Sequence, residues 1–540
     1  MVVHVLEPLT LRLPFWRYFG ALRHLPHAFL LDSAQGEGPS AGHSFMGADP
    51  FLVFRARRLP EPGPGGGPRS GHITVIDRRS CPERVTEHVG DPLLSLRRLL
   101  DEHRVDPSLY EGRVAPLLAG AVGYLGYEAG HFIESLPDTG QDDLKLPDIE
   151  LGFFDATLVH CHATGSSYIS SMGRDPDPKI ADSLARKASL AVRRRVLEFE
   201  EAHFGPGLKP GATTSHCGRH SKPAGRAHHG PASEDPLREE PGAASGFNYL
   251  FQREDVAPGF NPGPMGSKWT HVSREAYGRL VRRAKEHIEE GDVFEVCLTH
   301  RIEAPFAGDP WDLYQELRRV NPAPFAFYMA LPEATLVSSS PERFLRLSGQ
   351  GELESRPIKG TRPRGRTLAE DLELAKDLEE SPKDRAENTM IVDLVRSDFG
   401  KVCGFGTIEV SELCVVERHA TVHQLVSTIR GRLLPGRGAI DVISACFPGG
   451  SMTGAPKVEA MKIIDSLEPV SRGVYSGAAG YLDFTGAMDL AIVIRTAVVC
   501  GGVAHIGVGG AVVSDSDPDD EFQESMDKAR ALLLALGGAP

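Results

Sequence analysis

The residues best suited to chemistry in this chain are Lys359 and its neighbours, in the run Arg356-Pro357-Ile358-Lys359-Gly360-Thr361-Arg362-Pro363-Arg364. Arginine can grip a carboxylate through two parallel hydrogen bonds, and proline limits the backbone freedom lost on binding. The run therefore suits a small molecule with several carboxylates. The flanking arginines disfavour the ammonium form of Lys359, which points to a depressed pKa and a nucleophilic amine at neutral pH. Taken alone, the run reads better as a solvated basic turn.

Other segments carry groups that could work with it. Glu387 lies on a helical run that continues Asn-Thr-Met-Ile-Val-Asp-Leu, and Glu524 lies near the start of the last helix, with Glu521 one turn before it. Carboxylates from distant segments suit Mg²⁺, which takes a few of them and completes its shell with water and substrate oxygens. Singly, each reads better as a solvated helix face. Arg495 follows an apolar strand, where an unpaired charge is costly, so it needs an anionic partner. Glu342, in Ser340-Pro341-Glu342-Arg343-Phe344, can serve as an acid only if burial or a nearby carboxylate raises its pKa. Otherwise it is a surface glutamate paired with Arg343. Phe447 to Lys457 is a glycine-rich turn into a helix, a place where anions bind, but it lacks the Gly-Lys-Ser/Thr ending of a phosphate loop.

Composition excludes several classes. A net charge of −14 argues against a nucleic-acid partner, so an anionic substrate must be drawn in by local cations. No apolar run approaches membrane-spanning length, and Met1 to Thr10 lacks a secretory signal pattern. The 8 cysteines include no Cys-x-x-Cys pair, which argues against a disulfide framework or zinc ribbon. The expectation is a cytoplasmic protein with no membrane partner.

The elements that must position these groups fall into three stretches. Residues 1–204 read as folded, with strands at 29–31 and 51–54, a Pro/Gly loop at 60–68, a helix at 92–100, close-packed strands and turns at 117–130 and an amphipathic helix at 181–204. Residues 205–267 shift to Pro, Gly, His and Ser and read as a flexible linker or insertion; the histidines there, with Cys217, have no metal-ligand spacing. Residues 268–540 resume with a helix from Ser273 to about Glu290, ended by Gly291. Further strands are expected at 293–302, 335–338, 407–410 and 491–499, and helices at 368–378, 383–398 and 458–466. The absence of a repeating βαβ period favours an α+β fold.

Five motifs in order, Val337–Phe344, Arg356–Arg364, Glu387–Leu394, Phe447–Lys457 and Glu521–Ser525, resemble those of the chorismate-utilising enzymes. These are the anthranilate synthase and aminodeoxychorismate synthase components I and the isochorismate and salicylate synthases. The resemblance implies large antiparallel sheets packed face to face with helices outside. It implies that Glu387 and Glu524 hold Mg²⁺, with Glu521 assisting, and that the metal binds the ring carboxylate of chorismate. It gives Glu342 the role of acid toward the departing 4-hydroxyl and puts His423 near the ring. Gly360 and Thr361 match a ring-binding turn, Tyr475 and Arg495 match contacts to the enolpyruvyl side, and Gly509, Gly510 and Ala511 match a glycine loop whose N–H groups approach a carboxylate. Ser33, Pro324, Phe325 and Ala326, with Asp32 for the usual glutamate, match a tryptophan-binding pocket.

Within the resembling family, Lys359 discriminates. Anthranilate synthases usually have alanine there and aminodeoxychorismate synthases lysine, whose amine is thought to add at C2 so that ammonia enters at C4. Glu295 stands where isochorismate and salicylate synthases have a lysine base and aminodeoxychorismate synthases often glutamine. No cysteine lies in a Gly-x-Cys-x-Gly elbow, so the implied ammonia source is a separate glutamine amidotransferase subunit in a heterodimer. The competing expectations are an anthranilate synthase component I with an unusual lysine, and a non-catalytic chorismate- or tryptophan-binding subunit.

Overall fold

The structure, a computed structural model, describes residues 1–34, 42–61, 63, 67–107, 116–204, 272–419 and 422–537. The expected linker at 205–267 lies outside the described residues. Two large sheets, antiparallel throughout, form the body of the molecule. The first runs Val2–Leu9, Ser166–Arg174, Ala156–Cys161, His43–Gly47, Phe29–Asp32, Phe325–Ala330, Thr335–Ser340, Thr496–Cys500, Val503–Val512, Glu295–Pro305 and Gly454–Ala455. The second runs Ile358–Pro363, Val422–Arg432, Glu352–Ser355, Arg343–Leu347, Met488–Ile492, Ala478–Asp483, Gly120–Leu125, Ile149–Phe154, Leu52–Arg58, Gly71–Asp77 and Arg84–Gly90, with Glu409–Arg418 also paired to Val422–Arg432. Each sheet thus takes strands from both sides of residues 205–271.

Alternation along the strands puts one apolar face of each sheet against the other. Phe29 of the first sheet meets Phe154 of the second edge-on at 4.8 Å between ring centroids, and Phe45 meets Tyr481 at 5.6 Å. Helices cover the outer faces. Trp311, on helix Pro310–Val320, packs on Tyr328 of the first sheet's outer side and on Phe19 of the short helix Phe15–Ala21, and Phe399, on helix Pro382–Gly400, enters the core beneath the second sheet. No helix among the described residues is long and apolar enough to cross a membrane.

Most helices follow their sequence signals. Ser273 caps helix Arg274–Glu290 by accepting from the Ala276 N–H, and Gly291 ends it at φ 86°. The expected strand at 491–499 is a different object. Met488–Ile492 belongs to the second sheet and Thr496–Cys500 to the first, and the chain crosses between them with Arg495 at φ 52°. A second crossing lies alongside, where Ser340 ends a first-sheet strand and Arg343 begins a second-sheet one. The crossings are tied together by Ile492 N–H to the Glu342 carbonyl, 3.0 Å, and Ser339 N–H to the Arg495 carbonyl, 3.1 Å. Glu342 and Arg495 therefore both sit at the joint between the sheets.

Candidate functional site

The site is built around this joint, and its centre is Lys359. The segment expected as a turn is a bulged strand: Ile358 pairs with Val426 and Thr361 with Gln424, so the second sheet bends at Lys359-Gly360. Gly360 has φ 83°, and a Cβ there would lie 2.8 Å from the Asp384 carboxyl carbon. The bulge carries Lys359 Nζ to 2.7 Å from Glu295 Oε1 of the first sheet. Glu295 is fully buried, and its Oε2 has no hydrogen-bond partner.

This pairing corrects the expected pKa of Lys359. Burial alone would lower it, but Glu295 first and Glu387 next outweigh burial and raise it. The arginines have no such influence because the protein's own acids neutralise them. Arg356 pairs with Glu417, Arg362 with Asp377 and Asp384, and Arg364 with Asp371. They are not free to grip a ligand's carboxylates, as the sequence had suggested.

The strand that holds Glu295 is fixed from two sides. Gly454–Ala455 pairs with it in register, Ala455 opposite Glu295, and a Cβ on Gly454 would fall 2.0 Å from the Glu295 carbonyl oxygen. Beneath it, the buried pair Glu468–Arg472 binds its backbone: Glu468 Oε1 accepts from Thr299 N–H at 2.7 Å and Arg472 donates to the Cys297 carbonyl at 2.7 Å. The glycine-rich turn before Lys457 thus supports Glu295, while Lys457 itself is tied to Asp398.

Glu342 is buried and pushed up to about 7 by burial, against hydrogen bonds from Ser451 and the Ile358 N–H and the charge of Lys359. The alternative pairing with Arg343 is absent, since Arg343 binds Glu354 and Asp489. His423 is fully buried with its ring nitrogen 2.9 Å from Asp371, a carboxylate also clasped by Arg364. That bond turns it into a local network with the basic strand. Thr361 is exposed, and Gly360 lies in the bulge.

Two helices deliver the acids. Glu387 projects from Pro382–Gly400, and Glu521 and Glu524 from Pro518–Ala535, which Asp517 caps. Glu387 is pushed up to about 7 by burial, with Glu295 and Glu524 adding and Lys359 and Lys383 opposing. Glu521 is raised by burial, partly offset by its bond to Ser516. Burial also acts to raise Glu524, but Lys528, whose Nζ is 2.7 Å away, holds it below its usual value. Glu387 Oε1 and Glu521 Oε2 are buried without hydrogen-bond partners. Orphaned hard oxygens on carboxyl groups raised by burial, with the Glu524 charge adding to both, fit a divalent cation by donor chemistry. They are not preassembled. Among the described residues, the only three ligand atoms within 4.8 Å of one another come from His287, Glu290 and Asp292, at the exposed end of another helix.

Gly509, Gly510 and Ala511 lie in strand Val503–Val512, paired with Glu295–Pro305, and not in a loop. Over Gly510 converge Glu521 Oε2, Glu524 Oε1 and Lys528 Nζ, the last also donating to the Gly509 carbonyl at 2.9 Å. Lys528 was not singled out from sequence, although its place four residues after Glu524 on one helix face was the available signal. Tyr475 is buried against Gly507, where a Cβ would lie 2.2 Å from its ring. Arg495 donates to the Lys528 carbonyl, and no carboxylate lies within ion-pair distance of it among the described residues; burial lowers its pKa. It is a desolvated cation on which Glu524 and Asp527 act from beyond ion-pair distance.

Away from this site, Ser33, Pro324, Phe325 and Ala326 do come together. They line a cavity of about 580 Å³ between the sheets, with Tyr481 and Asp489. The Asp32 carboxylate is taken up by Arg318, Tyr314 and Ser44.

A family model described as chorismate binding enzyme matches residues 228–534. An aminodeoxychorismate synthase of Streptomyces pristinaespiralis is 38% identical over 95% of this chain, and the chain spans 62% of that relative's length. Aminodeoxychorismate synthase component 1 of Escherichia coli K12 is 34% identical over 96% of this chain and 95% of the relative. The solved anthranilate synthase component I of Streptococcus pneumoniae superposes with a TM-score of 0.66 and 25% identity, covering 92% of this chain and 93% of that one.

The carboxylate geometry makes a prediction about metal. Calorimetric titration with MgCl₂ should detect binding that Glu387→Gln weakens by roughly tenfold or more. Equal affinity in the variant would remove Glu387 from the ligand set.

Proposed function

Because the chain belongs to the chorismate binding enzyme family, we propose that it converts chorismate and ammonia to 4-amino-4-deoxychorismate, toward 4-aminobenzoate and folate. The observation that carries the reading is Lys359, buried at the joint of the sheets with its amine 2.7 Å from Glu295. The fold does not choose the product, since a solved anthranilate synthase shares it. A lysine able to occupy C2 directs ammonia to C4 instead. The chain has no Gly-x-Cys-x-Gly elbow, which supports ammonia supply by a separate glutamine amidotransferase subunit in a heterodimer.

Mg²⁺ bound by Glu387 and Glu524, with Glu521 assisting, would supply positive charge to the ring carboxylate of the substrate. The chain's own residues do the rest. Arg495 and Tyr475 bind the enolpyruvyl side, where the unpaired guanidinium gains the anion it lacks. Lys528 adds a cation beside Gly509 and Gly510. The Lys359 amine adds at C2 while the C4–O bond breaks. Glu342 gives its proton to the departing hydroxyl, and a carboxyl pushed up to about 7 is still substantially protonated near neutrality. Ammonia then adds at C4, and the lysine leaves C2.

The second cavity is a separate proposal. Its mixed lining of Phe325, Tyr481, Ser33 and Asp489 and its volume of about 580 Å³ suit an aromatic amino acid such as tryptophan.

The purified chain, given chorismate, Mg²⁺ and ammonium and coupled to an aminodeoxychorismate lyase, should yield 4-aminobenzoate. Anthranilate formed without the lyase would make the chain an anthranilate synthase. The sign of the pH dependence follows from Glu342, which is competent only when protonated. At fixed free ammonia, kcat should fall as pH rises above about 7. Glu342→Gln should lose about 10²–10⁴-fold in rate and, with it, this alkaline fall; an unchanged profile would assign the fall to another group.

A further inference from the structure

We infer that Glu295 is the base for the lysine nucleophile: it takes a proton from Lys359 as the amine attacks and returns it when the amine leaves. The inference rests on the reading of Lys359 as the residue that adds to the ring. An ammonium cannot attack carbon, so a proton must leave Nζ first. Lys359 is nine-tenths buried and is held in its charged form by its acidic neighbours, so near neutral pH solvent does not remove that proton. A glutamine at position 295, common among aminodeoxychorismate synthases, would not hold the lysine charged; in this chain the ion pair does, and the acceptor in contact with the proton is the carboxylate that holds it.

Three groups act on the ammonium: Glu295, Glu387 from helix Pro382–Gly400, and Cys297 from the same strand as Glu295. Burial pushes the Cys297 thiol up, so it keeps its own proton. Glu387 has no hydrogen bond to Nζ and belongs with the metal-binding acids. Glu295 Oε1 is in contact at 2.7 Å, and among the described residues Lys359 is the one hydrogen-bond donor to that carboxylate, whose Oε2 stands buried and unpartnered. Moving the proton across this contact turns a buried ion pair into a buried neutral pair that keeps its hydrogen bond, which a dry site accommodates. Gly454 and the Glu468–Arg472 pair keep the acceptor's strand in place.

The protons balance. The resting ion pair becomes amine and Glu295 carboxylic acid. The amine lone pair forms the C2–N bond, the ring double bond shifts, and the C4–O bond breaks with the Glu342 proton, releasing water. The site then holds a secondary ammonium on C2, a neutral Glu295 and an ionised Glu342. Ammonia forms the C4–N bond, the double bond shifts back, and the C2–N pair returns to nitrogen, freeing a neutral lysine amine. The new C4 ammonium returns a proton to Glu342, and Glu295 returns its proton to Lys359.

The test is Glu295→Gln, which keeps shape and a hydrogen-bond acceptor but cannot hold the proton, with Glu295→Asp as the variant that restores the base. With chorismate and Mg²⁺ but no ammonia, the wild-type Lys359 peptide should gain the mass of the substrate less one water. Glu295→Gln, with wild-type circular dichroism, should form this adduct at least about 100-fold more slowly at neutral pH and recover about tenfold per pH unit on the alkaline side. Glu295→Asp should recover part of the neutral rate without that slope. Adduct formation in Glu295→Gln at the wild-type rate and pH profile, or faster, would overturn the inference while leaving the lysine mechanism standing. Absence of any adduct on wild-type Lys359 would overturn both.

Discussion

One ammonium and one carboxylate, buried against each other where two sheets meet, set the terms for the rest of this site. Removing an ion from water costs several kcal/mol, and the attraction of a partner offsets this only when geometry is held closely. At 2.7 Å the Lys359–Glu295 contact meets that demand, and the surroundings read as the means of keeping it. A bulge turns Lys359 inward, and Gly360 lets helix Pro382–Gly400 approach it. Gly454 lets a short strand close on the Glu295 backbone, and a second buried pair, Glu468–Arg472, clamps the same strand from behind. Neither member of the central pair can shift without leaving the other as an uncompensated buried charge.

The same joint explains where the other chemistry sits. Both sheet crossings pass through it, one delivering Glu342 and the other Arg495. Strand ends at a crossing are where side chains can leave the alternating in-and-out pattern of a sheet. Around them the charges are mutually unsatisfied: Glu387 and Glu521 have orphaned oxygens, and Arg495 lacks a counter-ion among the described residues. A metal and a dicarboxylate would resolve these imbalances at once.

Much of this was legible in the sequence, and what was not has a common cause. Local signals gave the helices: Ser273 and Gly291 bound one of them by ordinary capping chemistry. Short motifs pointed to Glu342, Lys359, Glu387, Arg495, Glu521 and Glu524, and the structure gathers them. Pairing across long stretches of chain was not readable. The acids that neutralise Arg356 and engage Lys359 are 61 and 64 residues distant, so nothing near the arginines discounts them, and their charges suggest a shift of the wrong sign for Lys359. Residues 491–499 have uniform β propensity, and nothing local marks the passage from one sheet to the other. His423 matched a motif, but its bond to Asp371 depends on a helix and a strand that only the fold brings together.

The central claim is that Lys359 decides where nitrogen enters the ring, and the most direct measurement is the product made by Lys359→Ala with chorismate, Mg²⁺ and ammonium. The variant should fold, lose nearly all formation of the 4-amino product, and place any residual nitrogen at C2. Formation of 4-amino-4-deoxychorismate by Lys359→Ala at the wild-type rate would contradict the account, because the buried lysine would then have no part in the choice.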